Sequence, residues 1–185
     1  MPAPPEFISL DGRFSVEFWA AMPETKPHYE LIEGELKRKK LKRRGDIQAI
    51  CRLAFGLFVW GHERGWNILT GGFGLRADEF NGFVPDAMAF APGAPAEADA
   101  VYCDSAFLVA DVLWGTTEPE RDAKKRGYAC AEVELYFLVD AIAQTVEIYR
   151  LNGQNYGEPE VLSGADVWSP PEFEGLQLEL AKLWM

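Results

Sequence analysis

Histidine is nearly absent from this chain, which has only His28 and His62. A zinc centre built on imidazole would need both, and their separation fits no ligand spacing. Cysteine is scarce too. Cys51, Cys103 and Cys130 are odd in number and far apart, which leaves no disulfide framework and no CxxC metal pair. They are expected to be reduced, mostly buried thiols. No apolar run approaches the roughly 20 residues that cross a bilayer. The opening Met1-Pro2-Ala3-Pro4-Pro5-Glu6 lacks the basic and apolar regions of a signal peptide. The expectation is therefore a cytoplasmic protein with no membrane partner. There is no repeat at a solenoid period. Positive charge is in short supply: 18 Lys and Arg stand against 29 Asp and Glu, a net charge of −11. That balance argues against a general binder of phosphate backbones.

What is there fits one folded domain over 1–185, with the Pro-rich 1–12 as a flexible N-terminal segment. The 185 residues are 48% hydrophobic, enough for a single core. The scarce positive charge is unevenly spread. Lys37-Arg38-Lys39-Lys40-Leu41-Lys42-Arg43-Arg44 holds seven of the 18 basic residues. Such a run is either a solvated loop or the DNA-facing strip of an otherwise acidic molecule. Charge alone leaves both open.

Hydrophobic periodicity predicts a short helix over 14–22, then a strand, a Glu-Gly turn and a returning strand over 29–36. The longest helix is expected over 46–63. Asp46 would be its N-cap, and Ile47, Ile50, Leu53, Ala54, Leu57 and Phe58 its buried face. Strands are expected over 66–76 (with a bend at Gly71, Gly72 and Gly74), 82–90 and 107–113, the last two separated by an Ala- and Pro-rich loop. A helix over 118–132 carries Pro119 in its first turn. Strands over 135–140 and 145–151 follow, with another over 156–162 and an amphipathic tail over 176–184. This order gives an α/β (α+β) class with a mixed β-sheet flanked by helices.

Two carboxylates interrupt apolar strands: Asp86 in Phe83-Val84-Pro85-Asp86-Ala87-Met88, and Asp111 in Leu108-Val109-Ala110-Asp111-Val112-Leu113. Buried bare, each would be costly to desolvate. Two such charges about 4 Å apart would repel by about 4 kcal/mol at an effective dielectric of 20. A cation, a proton or a basic side chain must offset this, unless each Asp sits at a solvated strand end. A divalent metal such as Mg²⁺ is one economical partner. Lys124, on the helix after Asp111's strand, is another.

In this order the residues resemble the PD-(D/E)XK nuclease superfamily and, within it, the bacterial restriction-endonuclease family of the Uma-two type. The likeness runs from about residue 14 to 184. Tyr29-Glu30-Leu31-Ile32-Glu33-Gly34-Glu35-Leu36 resembles the family's entry hairpin, Val84-Pro85-Asp86-Ala87 its Pro-Asp strand, and Leu108 to Leu113 the strand that normally carries a glutamate. Lys124, four residues before Tyr128, matches the lysine of the following helix. Tyr136-Phe137-Leu138-Val139-Asp140 with Val146-Glu147-Ile148-Tyr149-Arg150 resembles the closing hairpin, and Gly175 to Leu180 the C-terminal segment. The chain departs from the pattern in four places. Asp111 replaces the strand glutamate. Leu113 stands where the superfamily's usual lysine would fall. Trp114-Gly115-Thr116-Thr117 replaces a Ser-Pro-Ser stretch and is expected to narrow the cleft. Asp46 matches a helix-start histidine.

The resemblance implies a restriction-endonuclease-like fold and a Mg²⁺-dependent endonuclease, with Mn²⁺ as substitute. Asp86, Asp111, the Val112 carbonyl and Glu30 would hold the metal, with Glu33 the runner-up to Glu30. Lys124 would complete the catalytic set. Lys37, Arg38, Lys39, Lys40, Lys42, Arg43 and Arg44 would follow the DNA phosphate backbone. A homodimer would suit cleavage of both strands. The alternative is a nucleic-acid-binding or protein-assembly module on the same fold with a decayed site.

Overall fold

Glycine and proline decide where this chain turns. The computed structural model describes residues 12–95 and 100–185. Nearly all of the segment expected to be flexible therefore lies outside the described residues. Ser15 accepts the Phe18 N–H and starts helix α1 (Val16–Ala20), shorter than the 14–22 expected. Strands β1 (Tyr29–Ile32) and β2 (Glu35–Arg38) form the expected hairpin. Its turn residues Glu33 and Gly34 both take positive φ, 52° and 80°, as a two-residue hairpin turn requires.

Helix α2 (Arg44–Gly61) begins two residues before Asp46. Asp46 is thus not the N-cap. It lies in the first turn, where its carboxylate accepts the Arg43 backbone N–H at 3.0 Å and the Arg43 guanidinium at 2.7 and 2.8 Å. Ile50, Leu53, Ala54 and Leu57 face the core. Ile47 and Phe58, expected on the same face, are 49% and 44% exposed and join Phe55 and Val59 in an outward stripe. At about 100° per residue, positions 47 and 58 nearly coincide at the edge of the buried arc, so they leave it together.

The single strands expected over 66–76 and 82–90 are each two. β3 (Asn67–Thr70) is followed by β4 (Gly74–Asp78), and β5 (Asn81–Phe83) by β6 (Ala87–Phe90). Gly71 and Gly72 take positive φ on one arm, and on the other Pro85 has no N–H to continue a ladder. The two breaks face each other, with Gly71 N–H donating to the Asp86 carbonyl at 3.1 Å. One long hairpin therefore passes from one sheet (β3 with β6) into another (β4 with β5), and Asp86 stands at the crossing.

The Ala- and Pro-rich segment, expected as a loop, contributes β7 (Tyr102–Cys103), parallel to β4. Next come β8 (Leu108–Val112), helix α3 (Glu118–Cys130), β9 (Leu135–Asp140) and β10 (Thr145–Asn152). The strand expected over 156–162 is broken around Pro159 into β11 (Asn155–Tyr156) and β12 (Glu160–Ser163). The tail forms β13 (Val167–Trp168), β14 (Leu178–Glu179) and α4 (Ala181–Trp184). The large sheet runs β11-β10-β9-β8-β6-β3, with β12 also on β10; the smaller runs β2-β1-β5-β4-β7. Only β8 and β9 are parallel in the large sheet, and α3 connects them. The mixed α/β class is as expected.

Side chains alternate across a strand. Leu108, Ala110 and Val112 pack with the core face of α2. Val109 faces the other side, with Tyr128 and Ala123 of α3. Asp111 falls in the same register as Val109. Burial of the thiols is corrected at two positions: Cys51 and Cys130 are exposed, and all three cysteines are free. Position 51 lies on the outward arc of α2.

Candidate functional site

Asp111 shares the α3 side of β8 and is 4% exposed. Lys124 and Tyr128 are four residues apart on α3 and so project from one face. Both reach the same oxygen: Tyr128 Oη donates to Asp111 Oδ2 at 2.7 Å and Lys124 Nζ at 3.2 Å. Lys124 also donates to Glu30 Oε1 at 2.9 Å. That oxygen accepts the Val84 N–H at 3.0 Å, which ties β1 to the sheet crossing. Two residues on, Asp86 Oδ2 accepts the Val112 N–H at 2.9 Å, so the two aspartates are joined through the backbone of β8.

Asp86 has two further partners that were expected on a DNA-facing strip. Lys39 Nζ lies 2.8 Å from Oδ1 and Lys42 Nζ 3.1 Å from Oδ2. Lys39 also donates to the Val84 carbonyl and lies 4.0 Å from Glu30 Oε1. Lys42 lies 3.4 Å from the Val112 carbonyl. Charges thus alternate along Asp111, Lys124, Glu30, Lys39, Asp86 and Lys42. Three carboxylates meet three ammonium groups, and the cluster is formally neutral.

The electrostatics follow. Burial alone would raise the Asp86 carboxyl, but Lys39, Lys42 and the Val112 N–H outweigh it and hold the group well below the usual carboxylate range. Burial would lower the Lys124 ammonium, yet Asp111 and Glu30 raise it above an ordinary lysine. The Tyr128 hydroxyl is pushed up by burial and by Asp111, so it stays a donor. One atom is left over: Asp111 Oδ1 is buried without a hydrogen-bond partner. Unpartnered buried oxygens are uncommon and call for a specific cause.

The rest of the basic run is divided among several partners. Arg43 pairs with Asp46 and lies 4.0 Å over the Trp114 ring. Lys40 donates to the Gly115 carbonyl, and Lys37 pairs with Glu35. Arg38 and Arg44 are exposed. Trp114 Nε1 donates to the Leu41 carbonyl at 3.2 Å, fastening the run over the end of β8. A cleft of about 50 Å³ opens there, lined by Glu30, Lys39, Lys42, Asp111, Trp114 and Lys124 among others. Glu33 stands apart, paired on the surface with Arg126 at 2.6 Å.

Three residues of this cluster escaped the sequence reading as partners: Tyr128, Lys39 and Lys42. The requirement that something basic offset a buried Asp was legible. Which lysine does so depends on contacts 44 to 47 positions apart.

The donor set suits a hard divalent cation. It offers carboxylate oxygens on adjoining strands, a nearby main-chain carbonyl at Val112, and one unpartnered Asp111 oxygen. Among the described residues no three His, Cys, Asp or Glu side chains form a cage by themselves. Two carboxylates completed by water or phosphate oxygens is a usual arrangement for Mg²⁺.

The family model Uma2, described as "Putative restriction endonuclease", matches residues 16–181. The chain belongs to the Uma2 family. Among solved structures it is similar to one from Anabaena variabilis, described as a putative nuclease belonging to DUF820. The TM-score is 0.76 with 18% identity, over 92% of this chain and 97% of that one. Identity that low speaks for the fold alone. No curated protein matches. Within this Uma2 fold, Asp86 at the sheet crossing, Asp111 on β8 and Lys124 on α3 form a single hydrogen-bonded group with Glu30.

Proposed function

We propose that this Uma2-family chain is a metal-dependent phosphodiester hydrolase, a DNA endonuclease of the PD-(D/E)XK type. The observation that carries the reading is the convergence of Asp86, Asp111 and Glu30 with the buried Lys124, leaving one Asp111 oxygen without a partner. Asp86, Asp111 and the Val112 carbonyl would hold Mg²⁺, for which Mn²⁺ would substitute. When bound, such an ion lowers the pKa of water and neutralises charge on a phosphate. Glu30 supports Lys124 by accepting its hydrogen bond and would add a ligand to the ion, directly or through a water. Lys124 is held by two carboxylates and stays protonated at neutral pH, so its ammonium is a fixed positive charge for the phosphorane-like transition state. Tyr128 fixes the Asp111 carboxylate by donating to Oδ2.

Exposed Arg38 and Arg44, with Lys37 and Lys40, would meet the phosphate backbone at the mouth of the cleft. Lys39, Lys42 and Arg43 would join them only on leaving their present partners. Binding of this kind is salt-dependent and reads little base sequence. A duplex has two strands and each chain one site, so two copies are proposed to pair, the outward stripe of Phe55, Phe58 and Val59 on α2 being their contact. Sedimentation of Phe55→Glu should then give monomers where the native chain gives dimers.

In the decisive experiment, Asp86→Ala and Asp111→Ala each abolish Mg²⁺-dependent cleavage of duplex DNA, while binding of the metal-free protein to DNA is no weaker than that of the native chain. Cleavage that survives both substitutions removes the assignment. One observation favours a second reading, a binding module with a decayed site: the cluster balances its own charge without any ion. A module of that kind takes up no stoichiometric, EDTA-reversible Mn²⁺ in calorimetry.

A further inference from the structure

Two features of the site conflict if the basic run is only a strip for phosphates. Lys39 and Lys42 are 13% and 16% exposed at their side chains, and both point their ammonium groups at Asp86, whose side chain is 11% exposed. Lys39 takes one carboxylate oxygen and Lys42 the other. The same two lysines sit on main-chain carbonyls at the sheet crossing and at β8, Val84 and Val112. Each oxygen that a divalent ion would take from Asp86 and Val112 thus has an ammonium group on it. The Asp111 Oδ1 atom alone has none.

We infer that Lys39 and Lys42 are place-holding cations: they neutralise Asp86 when no divalent ion is bound, and the ion displaces them toward the phosphates of a bound nucleic acid. This rests on the hydrolase reading and adds a coupling to it. Two charges of +1 standing at Asp86 are replaced by one ion of +2, so the buried carboxylates stay compensated in both states. An uncompensated charge at that depth would be strongly destabilising. The two lysines line the cleft beside Lys37, Arg38 and Lys40, so once released they extend the surface available to a backbone. Ion and nucleic acid therefore bind cooperatively, and by linkage each raises the affinity for the other by the same factor. The arrangement also accounts for a DNA-binding strip on a chain of net charge −11: the strip reaches full strength only when the site is loaded.

The test uses the full chain freed of metal with EDTA and Mn²⁺ as the probe, its binding followed by electron paramagnetic resonance. Lys39→Met/Lys42→Met removes both place-holders. Lys37→Met/Arg38→Met removes the same charge from the same run without touching Asp86. The first variant should bind Mn²⁺ at least tenfold more tightly than the native chain, and the second should shift affinity by less than threefold. Equal shifts in the two variants, or none in the first, overturn the inference while leaving the hydrolase reading in place. If no form binds Mn²⁺, both fall.

A second measurement reads the released lysines directly. Each phosphate contact contributes about −0.9 to the slope of log K against log salt. At a fixed, low Ca²⁺ concentration the native chain should therefore show a slope steeper by about 2 than Lys39→Met/Lys42→Met, and without Ca²⁺ the two slopes should agree. Agreement in both conditions contradicts the coupling. If the double variant folds only with Mn²⁺, its melting temperature becomes ion-dependent as the displacement requires; Lys42→Met alone, with an intermediate gain in Mn²⁺ affinity, then carries the comparison. A variant that stays unfolded at saturating Mn²⁺ overturns the idea that the ion replaces these lysines.

Discussion

Lys124 serves Glu30 and Asp111 at once, so removing it leaves two buried carboxylates short of a partner. Lys124→Ala should lower stability by about 3–5 kcal/mol in urea unfolding, the scale for breaking a buried ion pair. A loss under 1 kcal/mol would mean that water reaches the cluster freely. The pH dependence follows from two shifts of opposite kind. Asp86 titrates in the folded chain below its ordinary 3.8, so its stabilisation is complete above 3.8 and is lost as pH falls through the lower folded value. Lys124 titrates above its ordinary 10.5, so its contribution is complete below 10.5 and is lost as pH rises through the higher folded value. Metal-free protein should therefore show no pH dependence of melting from these two groups between about pH 5 and 9. Asp86→Asn should melt lower at pH 7 and fall less steeply in acid; an unchanged acid limb would contradict the role given to Lys39 and Lys42. Asp86, Asp111 and Lys124 were legible as charges in or beside apolar strands. Lys124 was legible as one partner; Lys39, Lys42 and Tyr128 were not, because a carboxylate in a strand states that it needs a partner without stating which one.

Between strand and helix, the spacing of α3 from β5 is set by one missing methyl. A Cβ at Gly127 would lie 2.5 Å from Phe83 Cε2, and Phe83 is fully buried. Ala is ordinarily better than Gly inside a helix by about 1 kcal/mol. Here Gly127→Ala should instead destabilise by about 1–3 kcal/mol, as overpacking does, and it should weaken Mn²⁺ binding because Lys124 lies one turn away. A stabilised variant would show that α3 tolerates a shift and that its register is not what holds Lys124. Periodicity located α2, α3, β9 and β10 to within a few residues. It ran strands 66–76 and 82–90 straight through because apolar residues stand on both sides of each break, Ile68 and Leu69 with Phe73 and Leu75, and Phe83 and Val84 with Ala87 and Met88. Gly71-Gly72 and Pro85 were visible as bends, but that the bends face each other across one hairpin, carrying it between sheets, is a tertiary fact.

Over the whole molecule, charge separates the readings. Net charge is −11, yet the cleft is lined by Lys37, Arg38, Lys39, Lys40 and Lys42, of which Arg38 and Lys40 are exposed. A nuclease built this way should bind duplex DNA with steep salt dependence and little sequence preference. Among the described residues no helix is long and apolar enough to cross a membrane. The apolar stripe on α2 was half legible: periodicity gave the helix a core face but also put Ile47 and Phe58, at the edge of that arc, inside it, and both are exposed. The measurement that bears most directly on the account is calorimetric titration of Mn²⁺ into EDTA-treated native chain and Asp111→Asn. Stoichiometric binding by the native chain, reversed by EDTA and lost in the variant, is the predicted result. Equal binding by both, or by neither, would contradict an ion held between Asp86 and Asp111.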